Sequence, residues 1–307
     1  MHQFMIGLYG GFDEEKYKRD FRKGFYGIEA CLFDKEEDIS RLAFESKRNN
    51  FQIGIHFPFR KGDSRLRDAL FLSEEEWVRQ DAYDYIQPEL DALMEIQPEY
   101  ILFHYPKPAI LDDRVSWKNW RFSNQREYVY ESEYPLTEFV EKSEQLFEWL
   151  NSKGNEYLFT PVLEFDALNR YVYEGNFLES LLVRYPNIKL CLDTGRLHMQ
   201  EKIDPYIDAR KVLKKYAKYA KNVHLWNMRI TDAFEYNHHP ALPDCNPEDG
   251  WAPIEDYLNI IKSENPDITI MFVHRSDWIT DEQLEACYQW VDSIMKPKKI
   301  LLPAGES

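Results

Sequence analysis

Cysteine is sparse in this chain. Four thiols (Cys31, Cys191, Cys245 and Cys287) are spread over 307 residues with no CxxC pair. That spacing excludes a disulfide framework and a structural zinc–thiolate site, and it suits the reduced thiols of a cytosolic protein. Long apolar runs are missing as well: none nears the roughly 20 residues that cross a bilayer. The stretch MHQFMIGLYGGFDEE has no basic segment followed by a long apolar core, so no export signal is legible. These absences predict a cytoplasmic protein with no membrane partner. Positive charge is in deficit, with 38 Lys and Arg against 54 Asp and Glu and a formal net charge of -16. Phosphate backbones are gripped by clustered Lys and Arg, so nucleic acid is not an expected partner. Glycine-rich phosphate cradles are absent too. Gly10-Gly11-Phe12-Asp13, after the first apolar stretch, matches neither GxGxxG nor a Walker loop.

What is present is a regular alternation. Apolar runs of strand length cover Gln3–Tyr9, Gly27–Leu32, Gln52–Phe57, Tyr100–His104, Tyr157–Phe165, Ile188–Leu192, Asn222–Trp226 and Ile268–His274, and a helical stretch follows each. Asp38 is the expected cap of the second helix, and Ser73 with Glu76 fits a capping box for the third, which Pro88 should bend. Lys153-Gly154 is the expected end of the helix that starts at Leu136, and Pro205–Tyr219 reads as one helix. Arg60–Arg67 and about thirty residues, 105–134, read as loops. Loops as long as the second are functional or poorly ordered inside a compact domain. Strict β-then-α alternation with no shift in composition predicts the α/β class: a single (β/α)8 TIM barrel over residues 1–307, with an irregular tail from about 297 to 307. An open doubly wound sheet is the alternative, and the missing phosphate cradle counts against it.

Histidines sort onto one end of that barrel. Apart from His2, all lie late in an expected strand (His56, His104, His224, His274) or in the stretch read as the following loop (His198, His238, His239). Glu164 and Asp193 close the fifth and sixth strands. The C-terminal rim is where barrels of this kind build chemistry. Imidazoles and carboxylates without thiolates suit a divalent Zn, Mn, Co, Fe or Mg. Each residue alone also fits a plain hydrogen-bonded rim position; six such strand ends together are harder to dismiss.

Motif order carries a resemblance. GIEACLF (27–33), HFPF (56–59), PVLEF (161–165), LCLDTGRLH (190–198), VHLWN (223–227) and EDGWAPIEDYL (248–258) together resemble the xylose isomerase-like TIM-barrel superfamily. That group holds sugar-phosphate isomerases and epimerases, and also endonuclease IV. The resemblance implies a divalent-metal-dependent isomerase, epimerase or lyase acting on a sugar, polyol or sugar phosphate through an enediolate-type intermediate. Glu164, Asp193 and His224 fall on the family's metal positions. His274 stands where the eighth strand usually ends in a metal-binding glutamate, and is taken as the fourth ligand. Glu164 or His104 would be the base and His56 would orient a hydroxyl. Arg196, in place of the family's histidine, would bind substrate with Trp226, Trp251, Arg275 and Lys107. Asn227 replaces the aspartate of the seventh-strand motif. Two other readings stay open. One is an endonuclease IV-like or small-substrate metal phosphodiesterase, with His198 and His239 as extra metal ligands. The other is a non-catalytic metabolite-binding barrel with a drifted site. Expected partners are a small carbohydrate or anionic polyol and, through the rim loops, a second copy of the chain as a homo-oligomer.

Overall fold

The computed structural model describes residues 3–62 and 68–296. Eight strands close into one barrel: β1 (Phe4–Tyr9), β2 (Gly27–Cys31), β3 (Gln52–His56), β4 (Tyr100–Tyr105), β5 (Thr160–Phe165), β6 (Lys189–Asp193), β7 (Ala220–Leu225) and β8 (Thr269–Phe272). Every neighbouring pair is parallel and β8 returns to β1, as the alternation predicts. Side chains alternate along a strand, so each strand feeds two cores. Outward residues such as Ile6, Ile55, Phe103 and Leu163 pack under the helices. Inward ones fill the barrel floor: Met5, Tyr100, Leu102, Val162, Cys191 and Met271. Tyr100 is fully buried there, and Gly54 makes its place, since a Cβ at residue 54 would lie 2.2 Å from the phenol ring.

Register decides what meets at the rim. The β4–β5 ladder sets His104 opposite Glu164, and the β6–β7 ladder sets Asp193 opposite His224. The sequence-read tail after Pro297, and most of the Arg60–Arg67 loop, lie outside the described residues. No helix among the described residues is long and apolar enough to cross a membrane.

Several local expectations need correction. The helix from Leu136 passes through Gly154 and runs to Tyr157. Gly154 is there for packing, because a Cβ would come within 2.9 Å of the Phe159 carbonyl and of Pro161; Leu158, in the left-handed region, ends the helix. Asp38 lies inside the first turn of its helix, behind Lys35 at the cap. The third helix starts at Glu76 with no side-chain cap and continues past Pro88 to Leu93. A capping box is found instead at Thr280 and Gln283. The expected Pro205–Tyr219 helix is shorter, Ala209–Tyr216, with a tight turn after it.

The stretch 105–134 has structure of its own. Ala109–Leu111 and Tyr128–Tyr130 pair in parallel, and Trp117 and Trp120 pack with Val115 and Ala167 in a small separate core. After β7 the chain folds into a hairpin, Asn227–Ile230 against Phe234–His239. His238 and His239 therefore sit on a strand. His198 sits on a helix, Thr194–Ile203, which Asp193 caps by accepting from the Arg196 amide at 2.8 Å. The Asp-Thr-Gly turn that reads as a loop is the first turn of this helix.

Candidate metal centre and cavity

At the C-terminal ends of the strands lies a cavity of about 1120 Å³, walled by Glu29, His56, Glu164, Asp193, Arg196 and His224 among others. Glu164 is its hub. Its Oε2 lies 2.8 Å from His104 Nε2 and 3.5 Å from His56 Nε2. It is buried and has no hydrogen-bond partner. Both histidines are held by their other nitrogen. His56 Nδ1 lies 3.0 Å from the Phe57 carbonyl, which can only accept, so the proton sits on Nδ1. His104 Nδ1 donates to Asp68 Oδ1 at 2.7 Å. An imidazole whose Nδ1–H is tied to a carbonyl or carboxylate presents Nε2 as a ligand. His56, His104 and Glu164 bring one ligand atom each within 4.8 Å of one another, which is the donor set and spacing of a divalent-cation site.

A lattice of buried charge holds this group from behind. Lys107 Nζ is 2.7 Å from Asp68 Oδ2 and 2.5 Å from Asp166 Oδ2. Arg196 Nη1 meets Asp166 Oδ1 at 2.8 Å and its Nη2 comes to 3.3 Å from His104 Nε2, placing a fixed cation beside the ligand group. Burial would raise the Asp68 carboxyl, but His104 and Lys107 hold it well below the usual carboxylate range. Burial likewise works against the charge on Asp166, and Lys107 and Arg196 bring it down to about 2.

On the other side, His224 is clasped between two carboxylates, Nδ1 at 2.8 Å from Glu164 Oε1 and Nε2 at 3.1 Å from Glu29 Oε2. Burial opposes its charge, but Cys191, Glu29 and Glu164 more than offset that and raise it well above an ordinary histidine. Glu29 Oε2 also accepts from Tyr100 Oη at 2.7 Å. The two strand-end acids are driven apart. Burial is opposed at Glu164 by His224 and Arg196, which hold it low, while burial and the Glu164 charge raise Asp193. Asp193 Oδ2 accepts from Trp226 Nε1 at 2.9 Å. Gly195 permits this, because a Cβ there would lie 2.2 Å from the Trp226 ring.

Of the residues read from the sequence, the fold thus gathers Glu164, His56, His104, His224, Asp193, Arg196 and Trp226 around one cavity. His274 also lines it, on the far wall, and joins no ligand group among the described residues. Arg275 reaches the cavity mouth paired to Asp277. Lys107 is buried between its two aspartates, where its charge is already matched. His198 turns away, with Nε2 donating to the Gly250 carbonyl at 3.2 Å. Trp251 stacks on Tyr236 of the hairpin and His239 meets that tyrosine edge-on, both outside the cavity lining. Asp68, Asp166, Glu29 and Cys31 are site residues that sequence reasoning did not single out. Strand periodicity carries a signal for two of them: Asp166 follows Glu164 by two positions, and Cys31 follows Glu29 by two.

No protein-family model and no curated sequence matches this chain. Solved structures do. A D-tagatose 3-epimerase-like protein superposes with a TM-score of 0.60 at 15% identity, covering 94% of this chain and 98% of its own. The 3-keto-D-glucoside 4-epimerase YcjR from E. coli gives 0.58 at 13% identity, over 95% and 100%. A Thermus thermophilus protein soaked with ZnCl2 gives 0.58 at 17% identity, over 95% and 97%. A xylose isomerase domain protein from Planctomyces limnophilus is similar to the same degree, 0.58 at 12% identity. Along nearly its whole length, then, the chain has the barrel fold shared by xylose isomerase-like and sugar 3-epimerase-like proteins.

Proposed function

We propose that this protein is a divalent-metal-dependent isomerase or epimerase of a sugar or polyol, with the cation held by His56 Nε2, His104 Nε2 and Glu164 Oε2. One observation carries the metal: the unpartnered, buried Glu164 Oε2 faces two imidazoles whose Nδ1 atoms are already committed. Four buried carboxylates held ionised (Glu29, Asp68, Glu164, Asp166) face three cations, Lys107, Arg196 and the His224 imidazolium. The remaining charge is the proton on His56, raised against burial to about 10 by Cys31 and Glu164, and a divalent cation would take that proton's place. A divalent cation bound there supplies Lewis acidity toward a substrate carbonyl or hydroxyl. Asp193, raised toward neutrality on the cavity wall, moves the proton on the carbon beside that carbonyl. Arg196 and the His224 imidazolium keep the surrounding acids ionised, and Trp226, stacked on His238, orients Asp193 through its indole N–H. The ligand set of His56, His104 and Glu164 differs from the one read in the sequence (Glu164, Asp193, His224, His274); Glu164 and His224 form a second close group with Cys191, in which His224 already lies between two carboxylates. The nitrogens of His224 are already engaged, as is one lone pair on each oxygen of Asp193.

The similar fold of sugar epimerases supports the substrate class. The phosphodiesterase reading keeps one supporting observation, the same His56–His104 pair. His198 and His239 point elsewhere, which removes the further ligands that reading calls for.

Metal analysis after dialysis separates the ligand sets. One metal per chain is expected in the parent and in Asp193→Ala, and none in His56→Ala, His104→Ala or Glu164→Ala. Loss in Asp193→Ala with retention in His56→Ala would reverse the assignment. For the reaction, incubating ketoses and polyols in deuterated water and following wash-in by NMR detects α-proton exchange whatever product is formed. No exchange with any sugar, alongside hydrolysis of a phosphodiester, would replace an isomerase by the second reading.

A further inference from the structure

A second hollow opens off the cavity. The chain between β4 and the helix at Leu136 makes an excursion of about thirty residues. Loops that long inside a compact domain are functional or poorly ordered, and this one carries two strands and a core of its own. Its strands, Ala109–Leu111 and Tyr128–Tyr130, and the chain between them line a groove of about 610 Å³. Lys118 and Trp120 line both the groove and the main cavity, so the two spaces meet at those residues. The main cavity alone, at about 1120 Å³, exceeds the roughly 300–1,000 Å³ that encloses a drug-sized ligand, and a single sugar ring is smaller than such a ligand.

The groove combines two kinds of surface. Trp117, Trp120, Phe122, Tyr128 and Tyr130 supply aromatic walls. Both indole N–H groups are engaged inside the protein, Trp117 Nε1 donating to the Asp112 carbonyl at 2.9 Å and Trp120 Nε1 to Asp166 Oδ1 at 3.1 Å, so these rings offer carbon surface to the groove. Hydroxyls and amides stand among them, on Ser116, Ser123, Asn124 and Gln125, and no carboxylate lines the groove among the described residues. A sugar ring has the matching pattern, with C–H groups on its faces and hydroxyls around its edge. The C–H groups meet the partly negative faces of the aromatic rings, and the edge meets the hydroxyls and amides. An aryl group or an acyl chain has no use for that polar rim.

Position decides which part of a substrate reaches the groove. Asp166, which accepts the Trp120 N–H, is also paired with Lys107 and Arg196, and Arg196 Nη2 lies 3.3 Å from His104 Nε2. Lys107 Nζ is 5.6 Å from the centre of the Phe122 ring. The inner end of the groove is thus held in fixed register with the metal-ligand group. A ring seated in the groove would orient the ring linked to it within the main cavity.

We propose that the groove is a second sugar subsite, in which Phe122, Tyr128 and Tyr130, with Trp120 at the junction, hold a non-reacting ring while the reacting ring lies in the main cavity. The substrate is then a disaccharide or larger glycoside instead of a free monosaccharide. The assignment rests on the sugar isomerase or epimerase reading of the main cavity, and adds to it the part of the substrate that undergoes no chemistry. The groove residues bind substrate in this arrangement and touch no reacting atom.

Calorimetric titration of the full chain in the presence of Mn2+ tests the subsite by comparing reducing disaccharides (maltose, cellobiose, lactose, maltulose and lactulose) with glucose, galactose and fructose. At least one disaccharide is expected to bind about ten-fold more tightly than its component sugars. Tyr128→Ala and Tyr130→Ala should each reduce that gain and leave the affinity for the monosaccharides as in the parent. Saturation-transfer NMR gives a second readout: irradiating the aromatic protons should mark the non-reducing ring in the parent, and more weakly in the variants. Should Tyr128→Ala fail a circular-dichroism check of folding, Tyr130→Ala carries the same expectation from an exposed position. The subsite is overturned if monosaccharides bind and no disaccharide binds more tightly, or if the folded variants keep the full gain. It is overturned as well if phenyl β-D-glucoside binds more tightly than every disaccharide, which would assign the groove to an aryl group. Binding of none of these sugars would sink the sugar reading of the main cavity, and the groove assignment with it.

Discussion

The two walls of the cavity carry similar residue types and opposite bonding states. On the β3–β5 side, Lys107, Asp68, Asp166, Arg196 and the Nδ1 atoms of His56 and His104 are all tied to protein partners. Only Glu164 Oε2 is left over there among the described side chains. On the β8–β1 side the imidazole itself is left over, at both nitrogens. A wall whose charges satisfy one another is scaffold, and its mutation is felt in folding. A wall whose polar atoms wait for a ligand is felt in binding.

Substitutions can break that contrast. The largest effect is expected for Lys107→Met, which strands two carboxylates in the interior. Losing one partner of a buried ion pair costs about 3–5 kcal/mol, so its urea midpoint should fall sharply. A midpoint near the parent's would mean that the lattice is not the support described. Next comes Asp68→Asn, which keeps the shape but weakens the hold on His104 Nδ1. Metal affinity by calorimetry should drop about 10–100-fold, with a much smaller loss of stability than in Lys107→Met. His274→Leu is the counterpart on the other wall. Removing an unsatisfied buried imidazole should change stability by less than about 1 kcal/mol, or raise it. A loss as large as that in Lys107→Met would erase the contrast.

The last effect depends on pH and concerns a histidine that belongs to neither wall. Burial pushes His198 down to about 4. Its folded-state value lies below the unfolded one near 6.5, so the unfolded chain binds the extra proton first. Stability should sag as pH falls from about 6.5 to about 4 and stop changing from this source below that. The His198→Gln protein should show a shallower sag in thermal melts over the same window, and an unchanged slope would exclude His198 as the cause.

The barrel and the hub of its site were legible because strand ends are marked twice, by the apolar run and by the polar residue that stops it. Glu164, His56, His104 and Asp193 are all of that kind. Asp68 was not, since it lies in a stretch with no period, and nothing local says that it turns toward His104. Lys107 was placed on the rim and read as a substrate-binding residue, because a buried lysine and a substrate-binding lysine look alike until their carboxylates are found. His198 was read as a loop residue because Asp193-Thr-Gly195 looks like a turn; the aspartate is in fact a helix cap, and the helix carries the histidine away. Gly154 shows the converse error, where a residue that often ends helices was present for close packing.

Tyr100, seated over Gly54, has a consequence of its own. With Met5, Leu102 and Met271 it stoppers the barrel, so the cavity is a well with one mouth. Whatever enters must leave by the same route, and water displaced by a ligand has no rear exit. Among the described residues, whatever binds in the cavity therefore enters and leaves at the C-terminal end of the barrel.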